Sequence, residues 1–123
     1  MSTQRKILPN RRTGETIKLK INGVTVHATA NFDPETRRPM EVFIVGPKAG
    51  SSMAFILHDA AVVISIALQN GVEPVALAKS IARVPAPTFY DGNNTLPASI
   101  IGAVLSWLVR LCDEWGNQNA ESK

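Results

Sequence analysis

The chain has 123 residues, of which 45% are apolar and 19% are charged. This is enough apolar material for the core of one domain, which excludes a disordered chain, and the single cysteine excludes an intrachain disulfide and a zinc site built from several thiolates. The net charge of +3 is uneven, since residues 1–48 carry nine basic and four acidic residues and residues 49–123 carry four basic and six acidic ones.

The N-terminal residues 1–14 are polar and basic, and they contain no apolar stretch of the kind found in a signal peptide. We therefore expect a flexible basic arm and a cytoplasmic protein. Residues 15–115 are predicted to form a single domain, and residues 116–123 are predicted to form a polar tail.

A β-hairpin opens the predicted domain. Residues 16–21 and 24–30 alternate apolar and polar side chains, and the Asn22-Gly23 pair between them tolerates the positive φ angles of a tight hairpin turn. After a loop with two prolines, residues 41–45 are β-branched or aromatic, which predicts a third strand.

A long helix follows the strands. Ser51 or Ser52 can cap its start, nothing breaks it before residue 69, and Asn70-Gly71 ends it. Its most apolar part, residues 53–68, is shorter than the roughly 20 residues that a bilayer requires. It also contains Asp59, so we expect no contact with a membrane.

Two further helices complete the pattern. Residues 74–82 predict a short helix, and residues 84–94, which are rich in turn residues, are predicted to form a loop. Thr95 is predicted to cap a third helix that runs to about Trp115, with Pro97 in its first turn.

The order of the elements predicts an α+β fold, with a small three-stranded antiparallel sheet followed by three helices packed on one face. Such a sheet has two free edges, and the first helix is apolar on nearly every side. Both features leave surface to cover, so we expect a homodimer.

Four pieces of the sequence, in this order, resemble a known domain. They are a basic run before the hairpin, the strand sequence EVFI, the helix end ISIALQNGV and a Ser-Ile pair in the last helix, at residues 11–15, 41–44, 64–72 and 99–100. Together they resemble the TSCPD domain of adenosylcobalamin-dependent (class II) ribonucleotide reductases. The resemblance covers most of the chain, and EVFI and ISIALQNGV are its most specific parts.

This resemblance implies an accessory domain. The family is named after a Thr-Ser-Cys-Pro-Asp stretch, but residues 95–99 read Thr-Leu-Pro-Ala-Ser and lack both the cysteine and the aspartate. Ribonucleotide reduction needs a thiyl radical and a pair of thiols, so a lone Cys112 excludes that reaction by this chain alone. Packing is the expected role of Cys112. By family association, adenosylcobalamin would belong to a larger partner, and we expect no cofactor in this chain.

Basic residues of the first half are the main candidates for a binding surface. Lys18 and Lys20 share the polar face of the first strand, and Lys48 and Ser51 lie at the start of the first helix, where free amides bind anions. The candidates for phosphate or nucleic-acid binding are Arg11, Arg12, Lys18, Lys20, Arg37, Arg38, Lys48 and Ser51. An ordinary solvated face is the alternative, since aromatic residues that could stack on bases are scarce in this region.

Three further candidates are Glu41, His58 and Asp59. Because Asp59 lies in an apolar helix, we expect it to be buried and therefore paired or hydrogen-bonded. The histidine and acidic residues are scattered along the chain in no pattern typical of metal ligands or of a catalytic set. The sequence therefore predicts neither a metal site nor catalytic residues.

The leading hypothesis is a non-catalytic binding or accessory module that engages a protein partner, itself, or a nucleotide or nucleic acid through its basic face. An alternative is a component of a vitamin B12-dependent ribonucleotide reductase that supplies deoxyribonucleotides for DNA synthesis. A second alternative is a DNA-binding protein, whose affinity would fall steeply with salt.

Overall fold

The computed structural model describes residues 13–85 and 95–121, with side chains as far as residue 114. Its elements are β1 (Gly14–Ile21), β2 (Val24–Phe32), β3 (Pro39–Val45), α1 (Ser52–Gln69), α2 (Pro74–Ala78), β4 (Arg83–Pro85), β5 (Thr95–Pro97) and α3 (Ile100–Glu121). The predicted α+β fold is confirmed, because an antiparallel sheet in the order β1-β2-β3 is followed by three helices.

The hairpin between β1 and β2 turns at the predicted pair. Asn22 and Gly23 have φ angles of 53° and 79°, and Ile21 pairs with Val24 on either side of them. Two consecutive positive φ angles match the right-handed twist of the flanking strands, which is why this pair is favoured in two-residue hairpin turns.

The core lies between one face of this sheet and the helices. α1 packs along β3, and α3 packs against α2 and crosses the three strands. The largest fully buried side chains of this core are Val26, Phe32, Val42, Leu57, Leu68, Val104 and Leu108. The opposite face of the sheet faces solvent and carries Thr16, Lys18 and Lys20 of β1 and Phe43 and Val45 of β3.

The third helix begins later than predicted. Residues 95–97 form β5, which pairs antiparallel with residues 83–85 in β4. The N-cap is Ser99, whose hydroxyl accepts a hydrogen bond from the N–H of Gly102 at 3.0 Å. The prediction that Thr95 caps this helix was therefore wrong, because a long-range strand pairing holds residues 95–97 in extended backbone.

Other boundaries also differ from the predictions. α2 ends at Ala78, before the predicted end at residue 82, and α3 continues to Glu121, beyond the predicted end near Trp115. β1 already includes Gly14, and the N–H of Phe32 bonds the C=O of Thr13. Residues 1–12 of the predicted arm and residues 86–94 of the predicted loop lie outside the described residues.

Within the described ranges, α1 is the one helix whose length and composition would allow it to cross a membrane, a test that core helices also pass. Six of its residues are buried against the rest of the domain, namely Leu57, Ala61, Ile64, Ser65, Leu68 and Gln69. α1 is therefore built into the core along one of its sides.

Candidate functional site

The outer edge of β3 is closed by side chains of α1. The hydroxyl of Ser65 accepts from the N–H of Val42 at 2.9 Å and donates to the C=O of the same residue at 3.1 Å. One turn later, the side-chain amide of Gln69 donates to the C=O of Met40 at 3.1 Å. Both side chains are buried, so α1 takes the place of a fourth strand along this stretch.

The hydrogen-bonding direction alternates along β3. In an antiparallel ladder, every second residue points its N–H and C=O away from the neighbouring strand. Met40 and Val42 bond α1, so Ile44 must point its backbone groups the same way. Four helix residues advance about 6 Å and two strand residues about 6.8 Å, so the α1 residue at the level of Ile44 is Ala61.

Ala61 has no polar group to offer. Alternation along β3 turns the N–H and the C=O of Ile44 away from β2, and no side chain among the described residues is bonded to either group. A cavity of about 220 Å³ opens at this point, and its lining includes Ile44, Ala61 and Ser65. We call this cavity the β3–α1 groove.

The groove brings together two of the candidates predicted from sequence. Glu41 and His58 both line it, together with Phe43, Val45 and Val62. Glu41 is held by the side-chain amide of Asn31, which donates to its carboxylate at 2.9 Å. His58 is exposed on α1.

Asp59 does not join this groove. The prediction that Asp59 is buried was wrong, because it lies on the side of α1 that faces solvent. Apolar composition all round the helix suggested burial on every side, but only one side of α1 packs against the domain.

The open face of the sheet presents side chains in rows across the strands. One row is Lys18, His27 and Val45, and the next is Thr16, Thr29 and Phe43. The two threonine hydroxyls of the second row are hydrogen-bonded at 2.8 Å. Lys18 and Lys20 are exposed on this face, so the sheet places them as the alternation predicted.

The candidate arginines of the β2–β3 loop lie at the other end of the sheet. Lys20 pairs with Thr25, whereas the loop closes through the N–H of Asp33 and the C=O of Arg38. At about 3.4 Å per strand residue, these two ends are separated by roughly 25 Å. Arg38 is ion-paired with Glu73. Lys18 and Lys20 are therefore separated from Arg37 and Arg38, so these four basic candidates do not form one surface.

Lys48 and Ser51 occupy the turn before α1, as the sequence predicted. The Ser51 hydroxyl donates to the C=O of Lys48 at 2.6 Å and accepts from the N–H of Ala54 at 3.1 Å. This is an N-cap, which satisfies one of the free amides of the first turn with the chain's own side chain. Arg11 and Arg12 lie outside the described residues.

Sequence reasoning missed the role of Asp33, which is 1% exposed. Its carboxylate accepts from the N–H of Glu35 at 3.1 Å and from the hydroxyl of Thr36 at 3.0 Å. These bonds hold the β2–β3 loop, in which Arg37 has a positive φ of 62° and its N–H bonds the C=O of Asp33. An Asp-Pro pair followed by a threonine is the signal for such a turn.

Ser65 and Gln69 were missed as well, although their spacing held a signal. Two polar residues at positions i and i+4 of an apolar helix lie on the same side and can reach one neighbouring element. An edge strand with unpaired backbone groups is the neighbour that needs them.

A third feature absent from the sequence predictions is an exposed apolar surface on α1. Its members are Phe55, Ile56, Val62, Val63 and Ile66, which we call the α1 stripe. Phe55 is 61% and Val63 66% exposed. Asp59 lies among them, since Phe55, Ile56, Val62 and Val63 are three or four positions away along the helix.

Chemically reactive groups are few in the described part of the chain. No group of three or more His, Cys, Asp and Glu side chains there could hold a metal ion. Burial raises the pKa of the half-buried Cys112 thiol, Arg38 opposes this, and Asp113 adds to it. A thiol with a raised pKa is a poor nucleophile at neutral pH, because the thiolate is the reactive form.

Comparison with known proteins gives one family. The family model of the TSCPD domain matches residues 3–110, nearly the whole chain. The searches of curated proteins and of solved structures gave no match. The match includes both the strand and the helix that form the β3–α1 groove.

Proposed function

The chain belongs to the TSCPD domain family, which links it to ribonucleotide reductases, and we propose that it is a non-catalytic accessory module. In this proposal it docks onto a larger reductase chain through the α1 stripe. The observation that carries the proposal is the exposure of five large apolar side chains on one helix. Docking would bring this surface out of water.

The size of the stripe supports a protein partner. The five residues are 39–66% exposed and together form an apolar patch of a few hundred Å², about the size of the largest apolar patches on soluble monomers, which are often functional. A standard protein interface buries about 800 Å² on each partner. The stripe alone would thus supply the apolar centre of such an interface, and neighbouring polar residues would supply its rim.

The charge of the stripe favours a different protein over a second copy of this chain. Asp59 lies within the apolar surface, and a charge in the centre of an interface is costly unless an opposite charge meets it. A partner with a lysine or arginine opposite Asp59 would satisfy this need. Two copies related by a twofold axis through the stripe would bring two carboxylates into one small interface.

We assign the redox chemistry and its cofactor to the larger chain. This chain has one cysteine, and reduction of a ribonucleotide needs a radical and two further thiols. The β3–α1 groove, beside His58, encloses about 220 Å³, below the roughly 300–1,000 Å³ of pockets for drug-sized ligands, so it does not fit adenosylcobalamin.

Affinity purification from the native cell tests the proposal. Wild-type protein, Phe55→Glu and Phe43→Glu serve as baits, because both phenylalanines are exposed but only Phe55 belongs to the stripe. We expect mass spectrometry to identify a ribonucleotide reductase chain with the wild type and with Phe43→Glu, and not with Phe55→Glu. Recovery of that chain with all three baits, or of this chain alone through self-association, would overturn the proposal.

A further inference from the structure

The geometry points to the β3–α1 groove as a binding site for the base of a nucleotide, with the backbone of Ile44 bonding the edge of the base. This binding would be independent of docking through the α1 stripe, because the groove lies between α1 and the open sheet face and shares only Val62 with the stripe.

The floor of the groove offers one donor and one acceptor side by side. The N–H and C=O of Ile44 point toward α1, where Ala61 cannot reach them. Ser65 shows what these groups bind, since its hydroxyl accepts from the N–H and donates to the C=O of Val42. A ligand at Ile44 must likewise combine an acceptor with an adjacent donor, as the edge of a nucleobase does.

Because Ile44 is the one residue beside the groove that offers both backbone groups, the site suits a compact ligand. A peptide that adds a strand to a sheet edge needs several consecutive residues with free backbone groups. Here Gln69 bonds the C=O of Met40 and Ser65 bonds both backbone groups of Val42, which leaves Ile44 as the residue beside the groove that offers both its N–H and its C=O. A flat group of limited length fits this arrangement, whereas an extended strand does not.

The walls of the groove suit an aromatic ring. Phe43 is 48% exposed and lines one side, with Val45 beside it, while Val62 and His58 line the other side. Any of the bases can stack on an exposed aromatic side chain, because every base has a flat aromatic face. A volume of about 220 Å³ is smaller than the pockets of whole drug-sized ligands, so the sugar and phosphate of a nucleotide would lie outside the groove.

Lys18 and the imidazole of His27 lie where that phosphate would emerge. His27 neighbours Val45 in the same row, and Lys18 follows on the next strand. Because neighbouring strands are about 4.8 Å apart, the backbones of His27 and Lys18 lie roughly 5 and 10 Å from that of Val45. Lys20 is on the same face, two residues further along β1. The base and the phosphate would therefore each meet a matching surface.

Nuclear magnetic resonance titration of the isolated chain with adenosine 5′-monophosphate and uridine 5′-monophosphate tests the site. We expect at least one of the two to shift the amide signal of Ile44, and the corresponding nucleoside to do the same at lower affinity. Ribose 5-phosphate carries the phosphate without the base and should leave Ile44 unshifted. Absence of a shift with both nucleotides, or an equal shift with ribose 5-phosphate, would overturn the proposal.

Two pairs of variants locate the ligand. Ala61→Ser would place a hydroxyl one turn before Ser65, where that hydroxyl would bond the backbone of Ile44 in place of the ligand. This variant should therefore weaken nucleotide binding at least tenfold. Ala60→Ser, at the neighbouring position outside the groove lining, should leave the affinity unchanged. Phe43→Ala, on the surface, should weaken binding about tenfold, while Phe55→Ala should not. Unchanged affinity in both Ala61→Ser and Phe43→Ala would contradict a site at Ile44.

Discussion

The hydroxyl of Ser65 binds both backbone groups of Val42, accepting from its N–H at 2.9 Å and donating to its C=O at 3.1 Å. Val42 belongs to the EVFI strand and Ser65 to the ISIALQNGV helix end, the two most specific pieces of the family resemblance. Their proximity in the fold gives both motifs one physical purpose, which is to close the edge of the sheet with a helix.

Replacing Ser65 by alanine should destabilise the domain. The substitution leaves the buried N–H and C=O of Val42 without partners, and each unsatisfied buried group costs about 1–3 kcal/mol. We expect urea denaturation to show a loss within or somewhat above that range. Ser106→Ala in α3 is the control and should change the free energy of unfolding by less than about 0.5 kcal/mol. Equal effects of the two substitutions would contradict the role given to Ser65.

Amide hydrogen exchange should distinguish two neighbouring positions of β3. Val42 and Ile44 are both buried, but the N–H of Val42 is bonded to Ser65 and the N–H of Ile44 faces the groove. We expect the amide of Ile44 to exchange at least tenfold faster than that of Val42 in the free protein. In Ser65→Ala the two rates should converge, whereas protection that is unchanged at Val42 would contradict the hydrogen bond.

The hairpin and α1 could be predicted because local rules decide them. The strands β1 and β2 follow from the alternation with period two and from the Asn22-Gly23 pair, which accepts positive φ. The start of α1 follows from Ser51, because serine is a favoured N-cap residue. The strand pair β4–β5 could not be predicted in this way. Its residues are distant in sequence, and the prolines of residues 85 and 97 are equally compatible with a loop or with the first turn of a helix.

Much of the candidate site lay beyond local rules. α1 is apolar all round, so its periodicity did not separate the side that packs on β3 from the stripe that faces solvent. The groove itself depends on the register between helix and strand, which places Ala61 beside Ile44. Candidates Glu41 and His58 were found as residue types, but only the fold brings them to one cavity.

Asp33 should contribute more to stability than Asp59. The buried Asp33 carboxylate accepts hydrogen bonds from the Glu35 N–H and the Thr36 hydroxyl, so Asp33→Ala should cost about 1–3 kcal/mol. Asp59→Ala is a matched control at an exposed position and should have an effect below about 0.5 kcal/mol on the isolated chain. Thermal unfolding of both variants measures the difference, and a larger loss for Asp59→Ala would reverse the assignment of burial.

The reactivity of Cys112 should rise only at alkaline pH. Burial raises the pKa of its thiol, so the thiolate forms at higher pH in the folded protein than in the unfolded chain. Alkylation by iodoacetamide, followed from about pH 7 to 10, should show a later rise for folded than for urea-unfolded protein. The stabilising contribution of the protonated thiol is present below the unfolded pKa and is lost as pH rises through the folded pKa. Rapid alkylation of folded protein at pH 7 would contradict this.

Direct binding of the purified chain to the ribonucleotide reductase catalytic chain of the same cell tests the central proposal. Val63 and Val45 are exposed to almost the same extent, 66% and 68%, but only Val63 lies in the α1 stripe. In calorimetric titrations we expect the affinities of wild type and Val45→Asp to agree within about twofold. We expect Val63→Asp to bind at least tenfold more weakly, because complex formation would then remove a second carboxylate, beside Asp59, from water. No binding by the wild type, or undiminished binding by Val63→Asp, would contradict docking through this helix.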